Sequence, residues 1–216
     1  MTRVNAYLPL IAWVLTLIVF ILAFIAWGQG FAWQWQTLGT LQLFPLFGLT
    51  AFSLMWSQYV ISATRQYLKV DSNKLKTFYN VTGYLVLVAI LLHPGLLSWQ
   101  LWRNGDGLPP GSELHYVMPS LKAFVILGII NLTILLAFEL RRVFANQPWW
   151  HYMSYVVDLA MLSIFIHGLE LGTQIRNGGW FRDVWLFYGA SLVLSLAIIY
   201  NQRFSSKLSA NKSKTA

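Results

Sequence analysis

Apolar residues run along this chain in long blocks rather than alternating with polar ones. Six blocks stand out, at about Tyr7 to Trp27, Leu41 to Ala63, Thr77 to Trp102, Val117 to Leu140, Trp149 to Gly172 and Val184 to Tyr200. Stretches of about 20 apolar residues match a hydrocarbon core roughly 30 Å thick at about 1.5 Å per helical residue. A soluble chain would change between apolar and polar positions far more often. The pattern predicts an all-α polytopic membrane protein. Its expected form is a six-transmembrane-helix bundle over residues 1–204, followed by a basic tail over 205–216. The first block is longer than a signal-peptide core and no small-x-small site follows it, so it reads as a retained helix. Between the third and fourth blocks, the glycines and prolines of 104–111 break any helix. No internal repeat is visible.

Charge turns this pattern into a topology. The chain carries a formal +8, a balance that invites a nucleic-acid reading until the positions are examined. Arg3 precedes the first block; Arg65, Lys69, Lys74 and Lys76 separate the second and third. Arg141 and Arg142 separate the fourth and fifth, and Arg203, Lys207, Lys212 and Lys214 follow the sixth. The other loops hold Arg103, Arg176 and Arg182 beside Asp106, Glu113 and Asp183. This alternation is the positive-inside pattern, which predicts both termini on the cytoplasmic side of a plasma (inner) membrane. The basic tail is expected to meet lipid headgroups, with no nucleic-acid partner. Trp27, Trp33, Trp99, Trp102, Trp149, Trp150, Trp180 and Trp185 fall near span ends, as an aromatic belt requires. The absence of cysteine removes disulfides, thiolate catalysis and iron–sulfur clusters.

An ionisable or ligating side chain inside a bilayer is costly, so each one calls for an explanation. Of the four histidines, His93 lies six residues before Trp99 and His167 nine before Arg176. Both helices run outward from the basic side, which places the two imidazoles at similar depth in the outer half of the membrane. Facing neutral imidazoles are what bis-histidine ligation of haem b needs, so His93 and His167 are the candidate metal ligands. Pro94 removes a backbone hydrogen bond at the ligand position, and Gly95, Gly168 and Gly172 remove bulk beside the histidines. The competing reading has each histidine simply buried and hydrogen-bonded to a neighbouring helix.

Other polar residues are weaker candidates. His115 at the outer interface could line the site. His151 sits at the inner interface, sixteen residues from His167 and on nearly the opposite helix face. The inner end of the third span offers Phe78, Tyr79 and Asn80, so a second bis-histidine haem is not expected. Asp158 shares a face with His151. It reads either as a proton relay or interhelical lock, or as a carboxyl packed against Ser, Thr or Tyr of a neighbour, the second being preferred. Glu139 adjoins the Arg141–Arg142 pair. Ser57 and Gln58 look like interhelical glue. Arg103 and Arg176 could pair with haem propionates at the outer surface, or could be ordinary loop charges.

No phosphate loop, histidine metal box, hydrolase arrangement or dinucleotide fingerprint appears. The stretches Leu91-Leu92-His93-Pro94-Gly95-Leu96-Leu97 and Ile164-Phe165-Ile166-His167-Gly168-Leu169 resemble the ferric reductase-like transmembrane family. That family includes ferric reductases, NADPH-oxidase membrane domains and the haem-binding membrane partners of bacterial methionine sulfoxide reductases. The resemblance covers residues 75–200 and implies haem held between the third and fifth spans of a six-helix bundle. Many members carry a second histidine on the third span, and this chain does not; the fifth-span histidines are also more widely spaced than the family pattern. With no flavin and nicotinamide domain in these residues, electrons would come from a separate reductase or membrane quinol. The expectation is a b-type cytochrome, the haem-binding membrane subunit of an oxidoreductase, passing electrons to an unknown acceptor at the outer face. The alternative is a haem-free proton-coupled transporter or membrane assembly protein that uses Asp158.

Overall fold

The computed structural model describes residues 3–139, 144 and 146–215, with side-chain surroundings over 6–139, 144 and 146–205. Arg141, Arg142 and the side chains of Arg3, Lys207, Lys212 and Lys214 lie outside the described residues. Six helices are long and apolar enough to cross a membrane. They are α1 (Arg3–Gly30), α2 (Thr40–Tyr67), α3 (Lys76–Arg103), α5 (Lys122–Glu139), α6 (His151–Leu171) and α8 (Trp180–Thr215). Two short helices cap one end, α4 (Gly111–Tyr116) and α7 (Thr173–Arg176). No strand occurs among the described residues. The architecture is an all-α, multi-pass membrane bundle, and six crossings bring both chain ends to one face. That face is called here the terminal end, and the opposite one the α4 end.

The bundle is organised around α2, which packs on α1, α3 and α8 and also touches α6. It is the least apolar of the six spans and the most buried: 56 % of its most apolar stretch is buried, against 6 % for α5. The two properties fit together because several polar side chains of α2 are paired with its neighbours, while the buried hydroxyls of Thr50 and Ser53 have no hydrogen-bond partner among the described residues. Ser57 Oγ lies 3.3 Å from Thr16 Oγ1 on α1. Gln58 donates to Thr82 Oγ1 on α3 at 2.9 Å, and Trp56 donates to Ser191 Oγ on α8 at 2.9 Å. Lipid offers no partner to a polar group, so a span bearing several is stable only where other helices satisfy them. By contrast, α5 packs chiefly on α6 and turns Ile126, Ile129 and Ile130 outward.

Three expectations change. Residues 111–116 continue the predicted break as a helical turn, α4, after which α5 starts at Lys122 through a 3-10 turn at Pro119–Leu121. Trp27 and Trp185 are core residues rather than belt residues, each 2 % exposed. Their indole N–H groups donate to the carbonyls of Gln42 at 2.5 Å and Phe165 at 3.1 Å, which lets a polar-tipped ring sit inside. Of the remaining six interfacial tryptophans, Trp33, Trp99, Trp102, Trp149 and Trp180 are exposed and Trp150 is half-buried.

Candidate functional site

The structure brings His93 of α3 and His167 of α6 together, with ring centroids 6.5 Å apart and planes at 83°. His93 Nδ1 lies 2.8 Å from the Phe44 carbonyl on α2, and His167 Nδ1 lies 2.8 Å from the Phe124 carbonyl on α5. A carbonyl only accepts, so each Nδ1 carries the hydrogen and each Nε2 keeps its lone pair. Metal-binding histidines are held in this way: a backbone acceptor on the rear nitrogen fixes the tautomer and aims the other. The reading in which each histidine is buried and hydrogen-bonded to a neighbouring helix is what these contacts show. That bond is also what leaves a ligating atom free.

The neighbours that hold the rings recur. Phe44 and Gly48 on α2 stand in the same relation to His93 as Phe124 and Gly128 on α5 stand to His167. A Cβ on Gly48 would come within 2.7 Å of His93 Cε1, and one on Gly128 within 2.5 Å of His167 Cε1. Each imidazole therefore occupies the space that a side chain on the facing helix would fill. The chain has an internal repetition after all: a helix bearing Phe-x-x-x-Gly followed by a helix bearing the histidine. It is too short to emerge from sequence similarity. Of the glycines expected to make room, Gly95 has nothing within 4 Å and opens outward. Gly168 instead gives way to the ring of Trp185, and Gly172 to its own helix end and Ile175.

Both imidazoles line a cavity of about 290 Å³ walled by α2, α3, α5 and α6. This is near the lower end of the ~300–1,000 Å³ typical of cofactor and ligand sites. Most of the lining is apolar, including Phe52, Met55, Leu132, Leu135, Ile164 and Trp185. Its polar groups are the two histidines, Glu113, Tyr116, Asn131, Thr173 and Gln174. Glu113 had read as a loop charge, yet it is 7 % exposed on α4 and accepts from Ser98 Oγ at 2.6 Å. Its Oε2 has no hydrogen-bond partner among the described residues. Only the fold of the 104–116 segment back over the mouth could reveal it.

The other candidates lie elsewhere. His115 is exposed, its Nδ1 2.8 Å from the Gly111 carbonyl, because α4 turns Glu113 rather than His115 inward. His151 is exposed at the terminal end, its Nδ1 2.5 Å from the Pro148 carbonyl. Arg103 and Arg176 are exposed and do not line the cavity, so neither guanidinium is placed against a group within it. Asp158 is buried and accepts from Tyr59 OH on α2 at 2.7 Å and from Tyr200 OH on α8 at 2.6 Å. Both carboxyl oxygens are therefore used in tying three helices together, the packed arrangement preferred for it above.

Does the cavity suit a haem? The two imidazoles come from different helices and their centroids are 6.5 Å apart, so one group could be held between them. The fixed tautomers, the glycine cradles and the apolar walls agree with such a group. Among the described residues no group of three or more His, Cys, Asp or Glu could hold a metal ion. The propionate side agrees less well, since Glu113, Tyr116, Thr173 and Gln174 stand at the mouth where cations were expected. Compared with known proteins, the chain matches no family model, no curated protein and no solved structure.

Proposed function

We propose that this protein is a b-type cytochrome of the plasma (inner) membrane, with both termini cytoplasmic, that passes electrons to an acceptor at the outer face. One observation carries the reading: two imidazoles from different hairpins, 6.5 Å apart, each with its Nδ1 bonded to a carbonyl of the facing helix. His93 and His167 would hold the haem, which would supply one-electron redox chemistry when bound. The chain's own part is to hold both rings in one tautomer, to keep water from them with apolar walls, and to set a low-polarity surround that tunes potential. The ferric reductase-like resemblance is consistent with this placement. Electrons would arrive from a separate reductase or from quinol. In the haem-free alternative Asp158 would relay protons, but both its oxygens are occupied by tyrosine hydroxyls.

The test is a reduced-minus-oxidised absorbance spectrum of protein purified from haem-replete cells. The expected result is sharp α and Soret bands at about one haem per chain, lost in His93→Ala with the protein still inserted. A featureless spectrum from folded, monodisperse protein would exclude the reading, as would full haem content in His93→Ala.

A further inference from the structure

At the terminal end, the turn between α2 and α3 gathers charge of one sign. Arg65, Lys69, Lys74 and Lys76 stand close together there, with Asp71 as the one acid between them. That carboxylate is already engaged, since it accepts from the Asn73 backbone N–H at 3.0 Å and caps the 3-10 turn at Ser72–Leu75. None of the four cations is in an ion pair among the described residues. The turn itself is firmly placed. Val70, Leu75 and Phe78 are buried against Leu8 and Ala12 of α1, and the Val70 N–H donates to the Arg65 carbonyl at 3.0 Å.

Arg65 differs from the three exposed lysines in being half-buried. Its Nε is enclosed without a hydrogen-bond partner, as is the Tyr79 hydroxyl of α3 that lies near the guanidinium. The two terminal nitrogens are not enclosed, and no group among the described residues bonds them. A guanidinium held by its inner atoms, with its outer nitrogens accessible, is preorganised for an anion that offers two oxygens, such as a phosphate.

The same place continues into apolar surface. Lys76, Tyr79 and Gly83 share one face of α3, at i, i+3 and i+7. Gly83 is half-buried, yet a Cβ there would meet nothing within 4 Å, so the face is notched at this level. Val81, Tyr84, Leu85 and Val88 around it are exposed. From Lys76 to Gly83 the helix rises about 10 Å, the passage from a head group to an acyl chain. Phosphate-binding groups above an apolar notch suit a lipid better than a soluble anion.

We propose that the α2–α3 hairpin binds one anionic phospholipid. Its phosphate lies on the Arg65 guanidinium, Lys69 and Lys76 flank the head group, and one acyl chain crosses Gly83. The site is about 25 Å along α2 from Gly48 and stands whatever the histidines hold.

The test is native mass spectrometry of the full chain, titrated with phosphatidylglycerol or with phosphatidylcholine of the same acyl chains. One phosphatidylglycerol per chain is expected to bind about tenfold more tightly than phosphatidylcholine. Arg65→Gln should remove that preference, and Arg65→Lys, which keeps the charge and loses the fork, should restore only part of it. Lys69→Gln and Lys76→Gln change exposed side chains alone, and each should weaken phosphatidylglycerol by about fivefold even if Arg65→Gln misfolds. Gly83→Phe should weaken it with every charge in place. Equal affinity for the two lipids would overturn the site, and so would competition by glycerol 3-phosphate at concentrations matching the lipid. Unchanged phosphatidylglycerol binding in the arginine and lysine variants would also overturn it, and would turn the cations over to an acidic protein partner.

Discussion

The two histidine cradles are built alike and mounted differently. On one side, α2 holds His93 from the centre of the bundle, hydrogen-bonded to α1, α3, α6 and α8. On the other, α5 holds His167 from the periphery, packed chiefly on α6 with isoleucines turned to the membrane. The ring-to-carbonyl distance is 2.8 Å in both. Local precision at the imidazole therefore does not depend on how deeply the supporting helix is buried. What differs is the room to adjust, since α2 is enclosed by helices and α5 has fluid lipid behind it.

The strongest way to break that comparison is to fill each cradle. For the proposed cytochrome, Gly48→Ala and Gly128→Ala should each reduce haem content at least fivefold, because the new Cβ meets an imidazole well inside contact distance. Stability should separate them. Gly48→Ala is expected to cost about 1–3 kcal/mol, as overpacking does in an enclosed core, and Gly128→Ala less, because α5 can shift outward. Spectra read the first quantity and thermal unfolding in detergent the second. Equal losses of stability would remove the contrast between the halves.

A smaller effect is expected away from the cavity. Asp158→Ala strands the hydroxyls of Tyr59 and Tyr200, costing about 1–3 kcal/mol per stranded group at most. Haem content should stay within twofold of wild type, since Asp158 does not line the cavity. A large loss of haem in this variant would show the two regions to be coupled. The smallest effect concerns the phenylalanines whose carbonyls hold the rings. Leucine keeps the carbonyl, so both exchanges should be mild. Phe44→Leu should be the more visible in the haem spectrum, because its ring lies 5.5 Å from that of His93. No such ring contact joins Phe124 and His167 among the described residues. Identical spectra for the two variants would count against any role for the Phe44 ring.

How much of this was legible beforehand follows from the range of each signal. Block length is a local property set by bilayer thickness, so the six spans could be read with ends a few residues out. Depth of a side chain is also nearly local, which is why His93 and His167 could be paired by counting to Trp99 and Arg176. Gly48 and Gly128 could not be found this way. Their meaning lies in a ring on another helix, across a Phe44–His93 separation of 49 residues and a Phe124–His167 separation of 43. Gly95 misled for the same reason, because adjacency in a helix does not put two residues on one face. Trp27 and Trp185 look interfacial by position and are buried because a carbonyl is available to each indole N–H.

The sequence by itself determined that this is a multi-pass helical membrane protein and that two histidines share a depth, since hydrocarbon thickness and helical rise act on each span separately. Tertiary structure alone decided which carbonyls take the histidine N–H groups, which glycines receive the rings, and that Glu113 and Asn131 line the cavity while Arg103, Arg176 and His115 do not. Those outcomes depend on helix rotation and on which spans become neighbours. Many weak packing and hydrogen-bond terms set them together, and no single segment carries them.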